Sequence, residues 1–180
     1  HMRGCLGGCN NKRNPVLTNE ICYYLGVERL NRPLFKMKSR NKHVVIIGGG
    51  VSGMITAELL LEAGFDVSIY ERSNKLGGVL NLTMPDFRYD MTVFNKWEKR
   101  LIDLGLNVYL NNDVQKLSDV VKHDYLVIAT GAGISKRLFD DSKTYDALEI
   151  LELAKNNKLD FKGLDIVVLG GGNTAYDVAR

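Results

Sequence analysis

The sequence predicts an α/β chain of Rossmann-like, three-layer architecture, and three observations carry that expectation. A short apolar run, Val44 to Ile47, enters a glycine turn and continues as a periodic apolar segment to Ala63. A second apolar run, Asp66 to Tyr70, ends at an acid, Glu71, which lies 18 residues beyond the last glycine of that turn. Near the end of the chain another apolar run, Asp165 to Leu169, enters a second glycine turn, Gly170-Gly171-Gly172-Asn173-Thr174. Strand, turn, helix and strand in that order form a β-α-β unit, which sets parallel strands side by side.

The first turn reads Gly48-Gly49-Gly50-Val51-Ser52-Gly53, so Gly48, Gly50 and Gly53 hold the G-x-G-x-x-G spacing. Gly48 suits a tight turn, Gly50 lets backbone approach a pyrophosphate, and Gly53 lets the helix pack closely on the strand. The helix starting near Ser52 aims unpaired N–H groups and the positive end of its dipole at phosphates. Gly64 is a natural stop for that helix. Glu71 stands where an acid accepts hydrogen bonds from the hydroxyls of an adenosine ribose. A carboxylate there repels a 2′-phosphate, so the site suits FAD or NAD better than NADP.

After Glu71, Arg72 to Leu80 reads as a loop whose paired glycines, Gly77 and Gly78, either bring amides to a ligand or make an ordinary turn. Asp90 is a plausible N-cap for a helix with Phe94, Trp97, Leu101 and Leu104 on one stripe, ending at Gly105, and Trp97 is most simply core. Asn107 to Leu110 reads as a strand. Asp124 to Ile128 reads as a buried one, running into Ala129-Thr130-Gly131-Ala132-Gly133 at the sheet's carboxyl edge. Asp146 to Glu149 resembles a capping box that opens a helix to about Ala154.

The chain has 180 residues, a formal charge of +3 and ordinary hydrophobic and charged fractions, enough for one domain and part of another. The basic run Lys36-Met37-Lys38-Ser39-Arg40-Asn41-Lys42 reads as a solvated linker, and no nucleic-acid partner is expected. Glu58, Glu62 and the glycines argue against a membrane span. All three cysteines, Cys5, Cys9 and Cys22, precede the first strand. An odd count without a secretory signal favours a reducing cytoplasm over a disulfide framework. Residues 3 to 41 otherwise read as irregular, with a short helix near Glu20 to Leu25, and His1-Met2 reads as a cloning remnant.

Two dinucleotide motifs in one chain resemble the two-dinucleotide-binding-domain flavoproteins. The segments VVIIGGGVSGM, YERSNKLGGVL, MPDFRYD and VVLGGGNTAYDVAR, in that order, resemble the glutamate synthase small subunit and the matching region of dihydropyrimidine dehydrogenase. The resemblance covers residues 42 to 180. It implies a fragment of a larger flavoprotein, with FAD on Gly48, Gly50, Ser52 and Gly53 and its ribose at Glu71. Further contacts are implied at Arg72, Gly78, Val79, Arg88, Val114 and Gly131. Arg88 follows proline, one residue and phenylalanine as in the family's motif, and the suitability of its charge for a pyrophosphate favours this role over a solvated surface arginine. Gly170, Gly171, Gly172, Asn173 and Thr174 would open an NAD(P)H site. Val51-Ser52 departs from the family's usual Pro-Ala, and both residues are small enough for the turn.

The cysteine segment looks closer to the 2,4-dienoyl-CoA reductase group, whose first cluster cysteine would fall at Met2. Cys5, Cys9 and Cys22 are thus either ligands of a [4Fe–4S] cluster, truncated or lost, or free cysteines in a loop. The expected division is a cysteine segment and linker over 3–41, an FAD-binding domain over 42–145, a connecting helix and linker over 146–162, and the start of an NAD(P)-binding domain over 163–180. The expected function is electron transfer from NAD(P)H through FAD to an acceptor on another domain or subunit. A non-catalytic nucleotide-binding module is the rival. Homo-oligomer formation is a further expectation, from apolar surface left where other parts of the protein would pack. No catalytic side chain is singled out, because the cofactor carries the chemistry.

Overall fold

A computed structural model gives the protein's structure over residues 26–88, 90–132 and 144–180. The three cysteines, Gly133 and the helix expected near Glu20 to Leu25 lie outside the described residues, which open with a helical stretch over 26–31.

Four strands form one parallel sheet: β1 (His43–Ile47), β2 (Asp66–Tyr70), β3 (Asn107–Tyr109) and β4 (Tyr125–Ile128), in spatial order β3-β2-β1-β4. Val44 pairs with Val67 on one side and with Tyr125 on the other. The chain steps outward from β1 to β3 and then crosses back beyond β1, so the order reverses between β1 and β4. In open α/β sheets the crevice at such a reversal, outside the carboxyl ends of the strands, is where ligands bind. The first glycine turn leaves β1 at that point.

Two helices cover the central strands: α1 (Val51–Glu62), and α3 (Met91–Asp103), which follows the short α2 (Val79–Leu82). Met54, Ala57 and Leu61 recur on one face of α1 and are fully buried with Val44, Ile46, Val67 and Ile69 of the sheet and with Phe94 and Leu101 of α3. Asp90 caps α3 by accepting from the Thr92 N–H at 2.8 Å. Asp146 likewise accepts from Leu148 N–H at 2.9 Å and opens α4 (Ala147–Lys155). A last helix, α5 (Asn173–Ala179), follows the second glycine turn.

Four expectations need correction. The Arg72–Leu80 loop is shorter than expected, because Val79 already starts α2. Strand β4 is not buried. Among the described residues it pairs only with β1, and at that edge it leaves Ile128 71% exposed. Asp165 to Leu169 forms no strand, and Val167 is 82% exposed. A parallel strand owes its stability to neighbours on the ladder, and this segment has none among the described residues. Trp97 is only partly buried, and its Nε1–H donates to Glu58 Oε2 at 3.0 Å.

The basic run is also more than a solvated linker. Lys36 Nζ donates to Leu104 C=O at the end of α3, and Arg40 Nε donates to Ala63 C=O at the end of α1, where cations complement the helix dipoles. Lys42 Nζ lies 2.6 Å from Asp124 Oδ1, while Asp124 Oδ2 accepts the His43 N–H. The segment before β1 thereby straps both helix ends and the foot of β4.

Beneath the strap lies a charge cluster. Glu58, 2% exposed, accepts from Arg100 Nε at 3.2 Å and sits 3.3 Å from Arg29 Nη2. Arg100 also donates to Glu62 and to Arg32 C=O. Removing Arg100 leaves the buried Glu58 only the half-exposed Arg29 and the Trp97 N–H as partners. Arg100→Leu is expected to cost about 3 kcal/mol in urea unfolding, and the double variant Glu58→Leu/Arg100→Leu less than the sum of the two single changes. Strict additivity would show that the pair is not coupled.

The Lys42–Asp124 pin also predicts a pH dependence. Its hydrogen bond with Lys42, aided by the His43 N–H, holds the Asp124 carboxyl below the ordinary aspartate range, and the same bond raises Lys42. A lowered acid stabilises the fold above its ordinary value and loses that contribution as pH falls through the folded value. A raised lysine contributes below its ordinary value and loses it as pH rises through the folded one. The melting-temperature gap between the natural chain and Asp124→Asn should therefore be open at neutral pH and close on acidification. A gap that widens in acid would contradict the pin.

Candidate functional site: the glycine turn at the sheet switch point

The turn after β1 is built by close approach. A Cβ at Gly53 would stand 2.0 Å from the Gly48 carbonyl oxygen, so α1 can start directly behind the strand only if residue 53 has no side chain. Gly48 has φ of 105°, and a Cβ there would meet Ala129 C=O at the end of β4 at 2.4 Å. The Gly48 N–H donates to Tyr70 C=O at 2.8 Å, which ties the turn to β2. Gly50 differs from both: a Cβ there would meet nothing within 4 Å. It is the N-cap of α1, and no side chain caps that helix, which leaves the first-turn amides for solvent or a ligand.

Glu71 is 7% exposed and joins the turn to the next loop. Its Oε2 accepts the Gly49 N–H at 2.7 Å, while its Oε1 accepts the Ser73 N–H and lies 2.8 Å from Ser73 Oγ. The following loop returns to the same place. The Gly77 N–H donates to Gly49 C=O at 2.7 Å, and a Cβ on Gly78 would lie 3.1 Å from Gly50 Cα. Gly77 and Gly78 therefore pack on the glycine turn itself.

Of the residues expected from the sequence, Gly48, Gly50, Gly53, Glu71 and Gly78 meet in one place, with Ser52 exposed on α1 and Val79 exposed at the start of α2. Gly131 lies just past β4, whose exit is joined to β1 by the bond from Ala129 N–H to Ile47 C=O. Arg72 is exposed beside Glu71, and Val114 is half-buried after β3. Arg88 turns elsewhere: its Nε donates to Asp177 on α5. Lys155 of α4 donates to Met84 C=O in the same segment, so the loop carrying Arg88 is held by both C-terminal helices. Gly170, Gly171, Gly172, Asn173 and Thr174 form a glycine turn into α5, with φ of 124° at Gly170. That turn is loose: among the described residues a Cβ at Gly171 or Gly172 would meet nothing within 4 Å, and no paired strand precedes it.

Sequence reasoning missed Gly49, Ser73 and Gly77. The Gly49 amide and Ser73 are the partners of Glu71. A Cβ at Gly77 would meet the Phe94 ring at 2.8 Å. The paired glycines hinted at Gly77, but no pattern in the sequence marks Ser73.

The family model of the NAD(P)-binding Rossmann-like domain matches residues 46–123, the stretch that contains the turn, Glu71 and β3. The fold of this part of the chain is Rossmann-like. Over 156 residues the chain is 33% identical to a glutamate synthase [NADH] of Schizosaccharomyces pombe, covering 76% of this chain and 7% of that protein. It is 29% identical to a glutamate synthase [NADPH] small chain of Bacillus subtilis, over 81% of this chain and 33% of the relative. It is 31% identical to an NAD-dependent dihydropyrimidine dehydrogenase subunit PreT homolog of Salmonella typhi, over 79% and 36%. The resemblance to these two enzyme groups read from the sequence is borne out, and these relatives are oxidoreductases. The chain spans about a third of the length of the two bacterial relatives.

The Rossmann turn separates fold from ligand contact at two glycines. Gly53→Ala is expected to destabilise the domain by about 1–3 kcal/mol or more, because a methyl group meets backbone that cannot yield. Gly50→Ala should change stability by less than about 1 kcal/mol, since φ there is −71° and the space is open, yet weaken dinucleotide binding. Thermal melts paired with ligand titrations decide this, and equal behaviour of the two variants would refute it.

Proposed function

We propose that the chain is the FAD-binding portion of an NAD(P)H-dependent flavoprotein oxidoreductase, passing electrons from NAD(P)H through FAD to an acceptor on another domain or subunit. The observation that carries this reading is the coincidence, at the sheet's switch point, of an open glycine at Gly50, uncapped amides at the start of α1 and the carboxylate of Glu71. These residues fit a dinucleotide: the open space beside Gly50 admits a pyrophosphate, and the helix N-terminus favours its charge. Glu71 favours a ribose with free hydroxyls and repels a 2′-phosphate, which supports FAD or NAD over NADP at this turn.

In this reading residues 42–145 form the FAD-binding domain and residues 163–180 begin the NAD(P)-binding one, with Gly170 to Thr174 as its phosphate turn. Bound FAD would supply the two-electron chemistry between the nicotinamide and the acceptor. The protein's own part is to hold the pyrophosphate at the α1 amides and to orient the ribose through Glu71, with Arg88 reaching the phosphates only on release from Asp177. Arg88 shares Asp177 with the second glycine helix, so anion binding at Arg88 competes with that ion pair. The cysteine segment remains a candidate for a [4Fe–4S] cluster, with Cys5, Cys9 and Cys22 as ligands.

The test is titration of the flavin-free chain with FAD. Glu71→Arg should weaken binding by about 1.5–3 kcal/mol, because a charged hydrogen-bond partner is lost and a cation faces the ribose. Unchanged FAD affinity in this variant would remove the ribose assignment. A colourless chain that takes up NAD and not FAD would favour the non-catalytic nucleotide-binding module.

A further inference from the structure

We propose that Ser73 is a positioning and specificity residue: by filling one oxygen of the Glu71 carboxylate, it leaves that acid able to take only one of the two ribose hydroxyls of a bound adenosine dinucleotide. The inference rests on the FAD reading above and adds to it a stereochemical limit.

A carboxylate offers about four acceptor positions, two on each oxygen. On Glu71 Oε1 both are taken. The Ser73 N–H occupies one, and Ser73 Oγ, 2.8 Å away, occupies the other. The Ser73 hydroxyl also lies 2.7 Å from Lys75 C=O, but it has a single hydrogen, and the charged carboxylate is the stronger acceptor. Whichever way that hydrogen points, the oxygen atom stands against Oε1 and closes it to a ligand. On Oε2 the Gly49 N–H takes one position at 2.7 Å, which leaves one. Glu71 is too enclosed, at 7% exposure, to turn and offer another face.

The Ser73 backbone is itself held. Its carbonyl accepts the Asn111 N–H at 2.9 Å, and the neighbouring Glu71 carbonyl accepts the Asn112 N–H at 2.9 Å. The loop after β3 thus fixes the turn that fixes the carboxylate. Oε2, the oxygen with a free position, is also the one bonded to the glycine turn.

The experiment titrates the flavin-free 180-residue chain with FAD and with two analogues, carrying 2′-deoxyadenosine or 3′-deoxyadenosine in place of adenosine, and follows the quenching of flavin fluorescence. One analogue should bind roughly tenfold more weakly than FAD, and the other within about twofold of it. Ser73→Ala opens a position on Oε1, so the analogue that was indifferent should now lose affinity relative to FAD, while Ser73→Thr keeps the original discrimination. A loss of folding would lower all three affinities together, whereas the ratio between the analogues reports only the carboxylate. Equal weakening of both analogues in the natural chain, no weakening of either, or unchanged discrimination in Ser73→Ala overturns the proposal while leaving the FAD reading in place. Failure of the chain to bind FAD at all overturns the FAD reading, and this inference with it.

Discussion

The constraint on which the rest depends is the contact between the start of α1 and the end of β1. The Gly48 carbonyl oxygen occupies the place where a side chain at residue 53 would be, so strand and helix meet with no spacer. This closeness brings the uncapped amides of α1 to the sheet's edge and aligns the helix over the central strands. The same crowding repeats around it. Gly48 abuts the end of β4, and Gly49 lies against Leu76 and Glu71, so that three segments distant in sequence converge on one turn. A site assembled from backbone in this way is rigid because each piece occupies the space that another would need to move.

The polar contacts then do what packing alone does not. Glu71 joins the glycine turn to the loop after β2, and that loop is tied by the Ser73 and Glu71 carbonyls to residues after β3. The carboxylate is therefore both a ligand group and a fastener. On the other side of the molecule, Glu58, Arg100, Arg29 and Glu62 fasten α1, α3 and the segment before β1. Burying charges is costly, but a partnered set has geometry that an apolar contact lacks, and here it fixes where the strap crosses the helices.

Arg88 joins the loop between α2 and α3 to the helix that follows the second glycine turn. Its bond to Asp177 and the contact of Arg180 with the Phe87 ring place the first loop against α5, and Lys155 holds it from α4. This polar seam therefore ties the loop between α2 and α3 to the two C-terminal helices.

The sequence by itself determined the parallel β-α-β unit, the glycine turn, the caps at Asp90 and Asp146 and the acid at the end of β2. Each of these is local: periodicity, turn chemistry and capping act over a few residues and leave their mark in the order of the chain. Tertiary structure decided what depends on neighbours. Among the described residues, the exposure of β4 follows from its place at the edge of the sheet, and Asp165 to Leu169 stays unpaired with no ladder beside it. Apolar composition reads the same in both settings. Ser73 and Arg100 were illegible for the same reason. A serine in a loop and an arginine on an amphipathic helix are ordinary until the fold sets Glu71 and Glu58 beside them, because a hydrogen bond between side chains is fixed by distance in space and not by spacing along the chain.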